Sequence, residues 1–219
     1  MIGYLSGYSD AGRDPGTFPA FRKGLKETGF VEGRNINIEF RFAGGRYDRL
    51  PSLAAELVAR KVSVILAAGV PSALAAKAAT KTIPVVFAIG VDPVKVGLVE
   101  SLSRPNGNLT GVSIFSADLG PKHVELLHEL LPAVSVIALL GNLKNANLQS
   151  AVPDIRAATD ALRQRLEVLT ASTESELDAA FATMAQNRVG GLVVMADPFL
   201  ISRRDKLVEL AGLHAIPAI

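Results

Sequence analysis

Gly69-Val70-Pro71-Ser72-Ala73 is the stretch of this sequence whose residue types and order could hold a charged molecule. An apolar run from Val62 to Ala68 ends in that Gly, an Ala-rich segment follows, and Pro71 stands at the helical start, where a missing N–H costs nothing. The remaining N–H groups of the first helical turn and the positive end of the helix dipole then face whatever lies beyond the strand's C-terminal end. Gly69, Val70, Pro71, Ser72 and Ala73 are therefore the candidate anion site, suited to a carboxylate, with the Ser72 hydroxyl as a further donor. An ordinary strand-to-helix connection can have the same composition. The second half of the chain repeats the order: an apolar run reaches Asp197-Pro198, a helix follows, and Ile216-Pro217-Ala218-Ile219 echoes Ile83-Pro84-Val85-Val86.

Reactive chemistry has little to stand on. The sequence has no Cys, which removes thiol nucleophiles, thiolate metal sites and disulfides together. It has no Gly-x-Ser-x-Gly elbow, no Walker A stretch and no Gly-x-Gly-x-x-Gly after its first strand. His123 and His128 are five apart, which is not metal spacing on a helical face, and His214 stands near the end of the sequence. These features predict a protein that is not an enzyme and that uses no cofactor and no metal. A net charge of +2, with no basic cluster interleaved with aromatics, gives no reason to expect nucleic acid. No apolar run approaches the length of a membrane span, and no secretory leader precedes the first strand.

The elements that must position the candidate site alternate between strand and helix. A hydrophobic content of 49% is ample for buried parallel strands in one large or two small α/β domains. Strands are expected at Ile2 to Ser6, through Ile36, Ile38 and Phe40 as an edge, and at Val62 to Ala68, Ile83 to Ile89 and Leu109 to Ile114. Helices are expected after Thr17, with Phe18, Phe21 and Leu25 on one face, and around Leu50, Leu53, Ala54, Leu57 and Val58. One or two helical turns are expected over Gly97 to Leu102. A second series restarts near Pro132, with strands at Val134 to Leu140, Leu166 to Ala171 and Val189 to Met195. Its helices are expected at Asn147 to Leu162, Glu174 to Ala185 and Ile201 to Leu213.

Within this frame a resemblance emerges. Ile83-Pro84-Val85-Val86-Phe87, Asp92-Pro93-Val94, Gly97-Leu98-Val99, Ser101-Leu102, Pro105, Gly107-Asn108-Leu109-Thr110-Gly111-Val112 and Glu125-Leu126-Leu127 follow one another at a characteristic spacing. In these motifs the chain resembles the ABC-transporter substrate-binding proteins of the type I periplasmic-binding-protein fold that include tryptophan and phenylalanine binders. The resemblance implies two Rossmann-like lobes with parallel sheets, residues 1–115 and 116–219, which close on a small ligand in the cleft between them. It implies a periplasmic or membrane-anchored extracytoplasmic protein that delivers its ligand to a membrane permease. The same bilobal architecture serves effector-binding domains of sensors and regulators, which is the alternative reading. Family members continue past the Ile-Pro strand of the second lobe, so a truncated second lobe with an unpaired sheet edge, prone to self-association, is also expected.

For an amino acid ligand the carboxylate suits the Gly69 to Ala73 turn, and Asp197 or Asp92 suits the ammonium. Asp197 is the better placed of the two, at the C-terminal end of a strand where open α/β sheets bind ligands. Either Asp, standing before Pro, can equally build a turn. Asn142 and Asn145 could bond a ligand carboxylate or carbonyl, or shape their own turn. Side-chain recognition falls to aromatics: Tyr8 and Phe199 in loops after strands, with Tyr4, Phe87 and Phe115 as further candidates, Phe87 being better suited to the core.

Overall fold

A computed structural model of the chain describes residues 1–8, 17–105, 107–114 and 119–219. The chain divides into two compact units, Met1–Phe115 and Ser116–Ile219. In the first, strands β1 (Ile2–Ser6), β2 (Ile38–Phe42), β3 (Val64–Ala68), β4 (Val85–Ile89) and β5 (Leu109–Ser113) form a parallel sheet of order β2-β1-β3-β4-β5. Helices α1 (Thr17–Glu27), α2 (Leu50–Ala59) and α3 (Val70–Ala79) connect them.

Parallel strands need both faces covered, and strand alternation divides the side chains between two layers. On one face Tyr4 and Leu66 meet Phe18 of α1, and Tyr4 stacks edge-on against Phe18 at 5.2 Å and lies 5.9 Å from Phe40. On the other, α2 and α3 pack, with Leu50, Leu53, Ala54 and Leu57 of α2 buried as the periodicity requires. β2 stands at the sheet's edge, half-buried along its whole length, as its alternating pattern predicts. At the opposite edge, Thr110, Gly111 and Val112 of β5 are exposed.

The second unit is built the same way. Strands β6 (Val136–Gly141), β7 (Arg165–Thr170) and β8 (Gly191–Val194) form a parallel sheet of order β7-β6-β8. Ile137 and Leu139 face α4 (Gly120–Leu130) and α5 (Ala146–Ala161). Ala138 and Leu140 face α6 (Glu174–Gln186), α7 (Pro198–Ser202) and α8 (Arg204–Leu213). The Ile-Pro echo is physical: Ile65 N–H donates to the Pro84 carbonyl at 2.9 Å, and Leu192 N–H donates to the Pro217 carbonyl at 2.8 Å. Ala218 accordingly pairs with Leu192 as the start of a further parallel strand.

Two expectations are corrected. No helix forms over Gly97 to Leu102. The turn instead closes earlier, around Asp92, whose Oδ1 accepts the Val94 and Lys95 N–H groups at 2.8 and 3.4 Å. Gly97, at φ +70°, ends it. The helix expected at Ile201 to Leu213 begins at Pro198 and breaks at Arg203, because Asp197 caps the chain three residues sooner.

Candidate functional site

Parallel sheets with these strand orders locate their own binding crevice. In the first unit the chain leaves β1 for β2 on one side, and β3, β4 and β5 are added on the other. The switch point therefore lies between the C-terminal ends of β1 and β3, where open α/β sheets take ligands. Ser6 of β1 pairs in register with Ala68 of β3 there, so the segments after them, starting at Gly7 and Gly69, emerge side by side.

The sequence positions α3 tightly at this point. Gly69 takes φ +85° and ψ 156°, a conformation open essentially to glycine alone, and its N–H bonds the Ala88 carbonyl at 2.9 Å. Val70 is then buried, Pro71 presets the helical φ, and Ser72 and Ala73 lie fully buried in the first turn. Gly69, the N-cap residue, has no side chain to cap α3. Of the five residues of the predicted site, Pro71 has no N–H, and Ala73 N–H already donates to the Gly69 carbonyl at 3.0 Å. Ala73 is thus removed from the donor set, because its N–H makes the first intrahelical bond. Val70 and Ser72 retain N–H groups with no acceptor among the described residues. Ser72 Oγ, sealed from solvent, also has no hydrogen-bond partner among the described residues. Helical side chains lean toward the N-terminus, so this hydroxyl leans toward the same free donors.

The equivalent place in the second unit is filled by the protein itself. The switch point of the order β7-β6-β8 lies between the ends of β6 and β8, which is where Asn142, Asn145 and Asp197 stand. Asp197 Oδ1 accepts from Phe199 N at 2.9 Å and Leu200 N at 3.2 Å, capping α7. Asn145 Nδ2 donates to Asp197 Oδ2 at 2.9 Å and Asn142 Nδ2 to Oδ1 at 3.4 Å. The amide oxygens are engaged too, Asn142 Oδ1 by Lys144 N and Asn145 Oδ1 by Asn147 N. All three residues are at most 3% exposed. The structure brings Asp197, Asn142 and Asn145 together as a helix cap and its supports, the turn-building role that the sequence also allowed.

Asp92 lies after β4 and shapes its own turn, as above. Phe199, read as a loop aromatic, is 5% exposed and packs in the core of the second unit, with the Arg203 guanidinium 5.8 Å from its ring centre. It turns inward because the Asp197 cap starts a helix where a loop was expected. Tyr4 and Phe87 are core residues, and Phe115 lies outside the described residues. Tyr8 stays at the switch point, half-buried, donating its N–H to Ser6 Oγ at 3.2 Å and accepting Gly44 N–H at 2.9 Å. Ser6 itself was not singled out by the sequence reading. Its position as the last residue of a buried strand beside a free helix start is the signal that could have found it.

An apolar hollow exists elsewhere. An apolar groove of about 550 Å³ runs along the outer edge of β8, lined by Ala151, Ile155, Val194, Leu207 and Ala211 among others. It contains none of the predicted site residues, and its walls are mainly aliphatic. Ligand specificity needs convergent polar groups, so the α3 start rather than this groove is the candidate site. Among the described residues no group of three His, Cys, Asp or Glu could hold a metal, and no helix is long and apolar enough to cross a membrane.

Two units of parallel sheet flanked by helices, each with its switch point at the strand ends, define the type I periplasmic-binding-protein class. Residues 16–219 match the ABC transporter substrate binding protein family, and the chain belongs to it. It is 32% identical over 200 residues, 91% of this chain, to a tyrosine-binding protein of Clostridioides difficile, and spans 57% of that protein's length. A solved structure from Streptococcus pneumoniae, described as an ABC domain in complex with L-Trp, matches the whole chain at 26% identity and a TM-score of 0.86. A conserved domain protein of Vibrio cholerae matches at 28% identity and a TM-score of 0.88. The chain covers 73% of each of these two structures.

Proposed function

We propose that this chain belongs to the solute-recognition component of an ABC importer, acting outside the cytoplasm and handing its ligand to a membrane permease. The ligand is a small carboxylate-bearing molecule, an aromatic or large apolar amino acid, held through its carboxylate at the α3 start. One observation carries this reading: at the switch point of the first sheet, two backbone N–H groups and the buried Ser72 hydroxyl have no partner among the described residues. Unsatisfied donors in a buried site cost free energy that a carboxylate would recover, and the helix dipole favours that charge. The names of the relatives, one binding tyrosine and one solved with L-Trp, support an amino acid. Membership of the substrate-binding family favours recognition without reaction.

Isothermal titration with L-tyrosine, L-tryptophan and L-leucine, each paired with its carboxamide, tests this. The acid should bind more tightly than its amide by about 1.5–3 kcal/mol, the scale of a hydrogen bond to a charged group. Equal affinity for acid and amide would make the α3 start merely structural.

A further inference from the structure

Ser6 closes β1 beside the α3 start, and the proposed function leaves it without a task. It is fully buried, and its carbonyl accepts Ala43 N–H at 2.9 Å. Its hydroxyl oxygen accepts Tyr8 N–H at 3.2 Å, and that is the hydroxyl's one hydrogen bond among the described residues. The Ser6 O–H therefore meets no acceptor among the described residues. Ser72 is in a similar state: its hydroxyl is buried and has no partner among the described residues, on the first turn after the neighbouring strand. Ser6 is in register with Ala68, which immediately precedes the Gly69 cap. Neighbouring strands lie about 4.8 Å apart, so the end of β1 sets Ser6 beside the segment that leaves β3 and opens α3, and a carboxylate at the α3 start can meet hydroxyls from both.

Resting on the carboxylate site proposed above, we propose that Ser6 is a second hydroxyl donor to the ligand carboxylate, opposite Ser72. In this arrangement β1 contributes the Ser6 O–H to one oxygen, while the α3 start contributes the Ser72 O–H and the Val70 and Ser72 N–H groups. Acceptance from Tyr8 N–H orients the Ser6 hydroxyl, because it occupies a lone pair and leaves the proton to point away from the turn.

The test is isothermal titration of the purified protein and its Ser6→Ala, Ser6→Thr and Ser72→Ala variants. The probes are L-tyrosine, L-tryptophan and L-leucine with their carboxamides. Ser6→Ala should weaken the acid by about tenfold or more and the carboxamide by much less, the difference expected for one hydrogen bond to a charged oxygen. Ser6→Thr, which keeps the hydroxyl, should restore most of the selectivity. If Ser6→Ala does not fold, Ser6→Cys is read in its place, and its weak S–H donor should give an intermediate loss of selectivity. A purely structural turn would lower acid and amide alike, and that outcome overturns the proposal. So does Ser6→Ala binding the acid as tightly as the parent while Ser72→Ala binds it less tightly, a result that leaves the α3 site standing. If the unmutated protein prefers no acid over its amide, the proposed function fails and this inference with it.

Discussion

The helices that follow β3 and β8 begin at equivalent places and satisfy their first turns in opposite ways. Both strands lie beside the first strand of their sheet, both helices carry Pro near the start, and both chains go on to an Ile-Pro segment paired back to the same strand. At α7 the exposed end of the backbone is closed by Asp197, whose carboxylate takes Phe199 N–H and Leu200 N–H and is itself held by two Asn amides. At α3 the N-cap is Gly69, which has no side chain to offer, and the Ser72 hydroxyl has no partner among the described residues. One unit thus supplies its own anion at the cap, and in the other the cap residue carries no side-chain acceptor. The lesson is that a helix start can belong to stability or to binding, according to whether the chain places an acceptor at its cap.

Substitutions at the two starts should therefore fail in different measurements. The largest effect is expected from Asp197→Ala, which strands two backbone donors and two buried amides. A loss of about 3–5 kcal/mol should appear in chemical denaturation, from a lost cap plus unsatisfied buried donors. Asp197→Asn, which keeps a capping oxygen, should lose much less and leave ligand affinity unchanged. A large affinity loss with unchanged stability would instead return Asp197 to the ligand's ammonium.

Gly69→Ala should come next. An added Cβ meets nothing closer than Pro71 Cδ at 4.0 Å, so space is available, and the cost is the left-handed backbone. About 1–3 kcal/mol of stability should be lost in thermal or denaturant unfolding. Ser72→Ala sharpens the contrast further. Removing a buried hydroxyl that has no partner should leave stability unchanged or slightly raised, while the affinity for the acid falls by about 1 kcal/mol. That loss is smaller than the one expected from the amide analogue, because the backbone donors remain.

The smallest effect belongs to a helix start engaged in yet another way. At α6, Thr173 Oγ1 accepts Glu176 N–H at 3.2 Å, and the Glu176 carboxylate reaches back to Ser172 N at 2.6 Å and Ser172 Oγ at 2.9 Å. These bonds from the Ser172 backbone and hydroxyl hold the Glu176 carboxyl below its ordinary value of 4.5. A depressed carboxylate contributes stability that is present above the unfolded value and lost as pH falls through the folded one. Acid titration of stability should accordingly be slightly shallower below pH 4.5 in Glu176→Gln than in the parent.

The parts of this comparison were unequally legible in the sequence. Apolar runs ending in Gly-x-Pro or Asp-Pro locate the strands and helix starts, since buried parallel strands read as continuous hydrophobic stretches. The alternation through Ile38 and Phe40 places β2 at an edge for the same kind of reason. Partnership is another matter. Sequence spacing does not reveal that Ala73 N–H is taken by Gly69, that Asn142 and Asn145 converge on Asp197 from more than fifty residues away, or that Phe199 turns inward. Those outcomes depend on where a cap falls, within one or two residues, and on contacts between distant segments. The register of Ser6 with Ala68, on which its proposed role rests, joins neighbours in space that the sequence sets more than sixty residues apart.

The central claim is that the free donors of α3 receive the ligand's carboxylate while those of α7 are already occupied. Amide proton and nitrogen chemical shifts followed during titration with the amino acid that binds most tightly test it most directly. The Val70 and Ser72 amides should move strongly with the acid and much less with its carboxamide, and the Phe199 and Leu200 amides should stay in place with both. Saturation of the protein with the Val70 and Ser72 signals unmoved would contradict the claim.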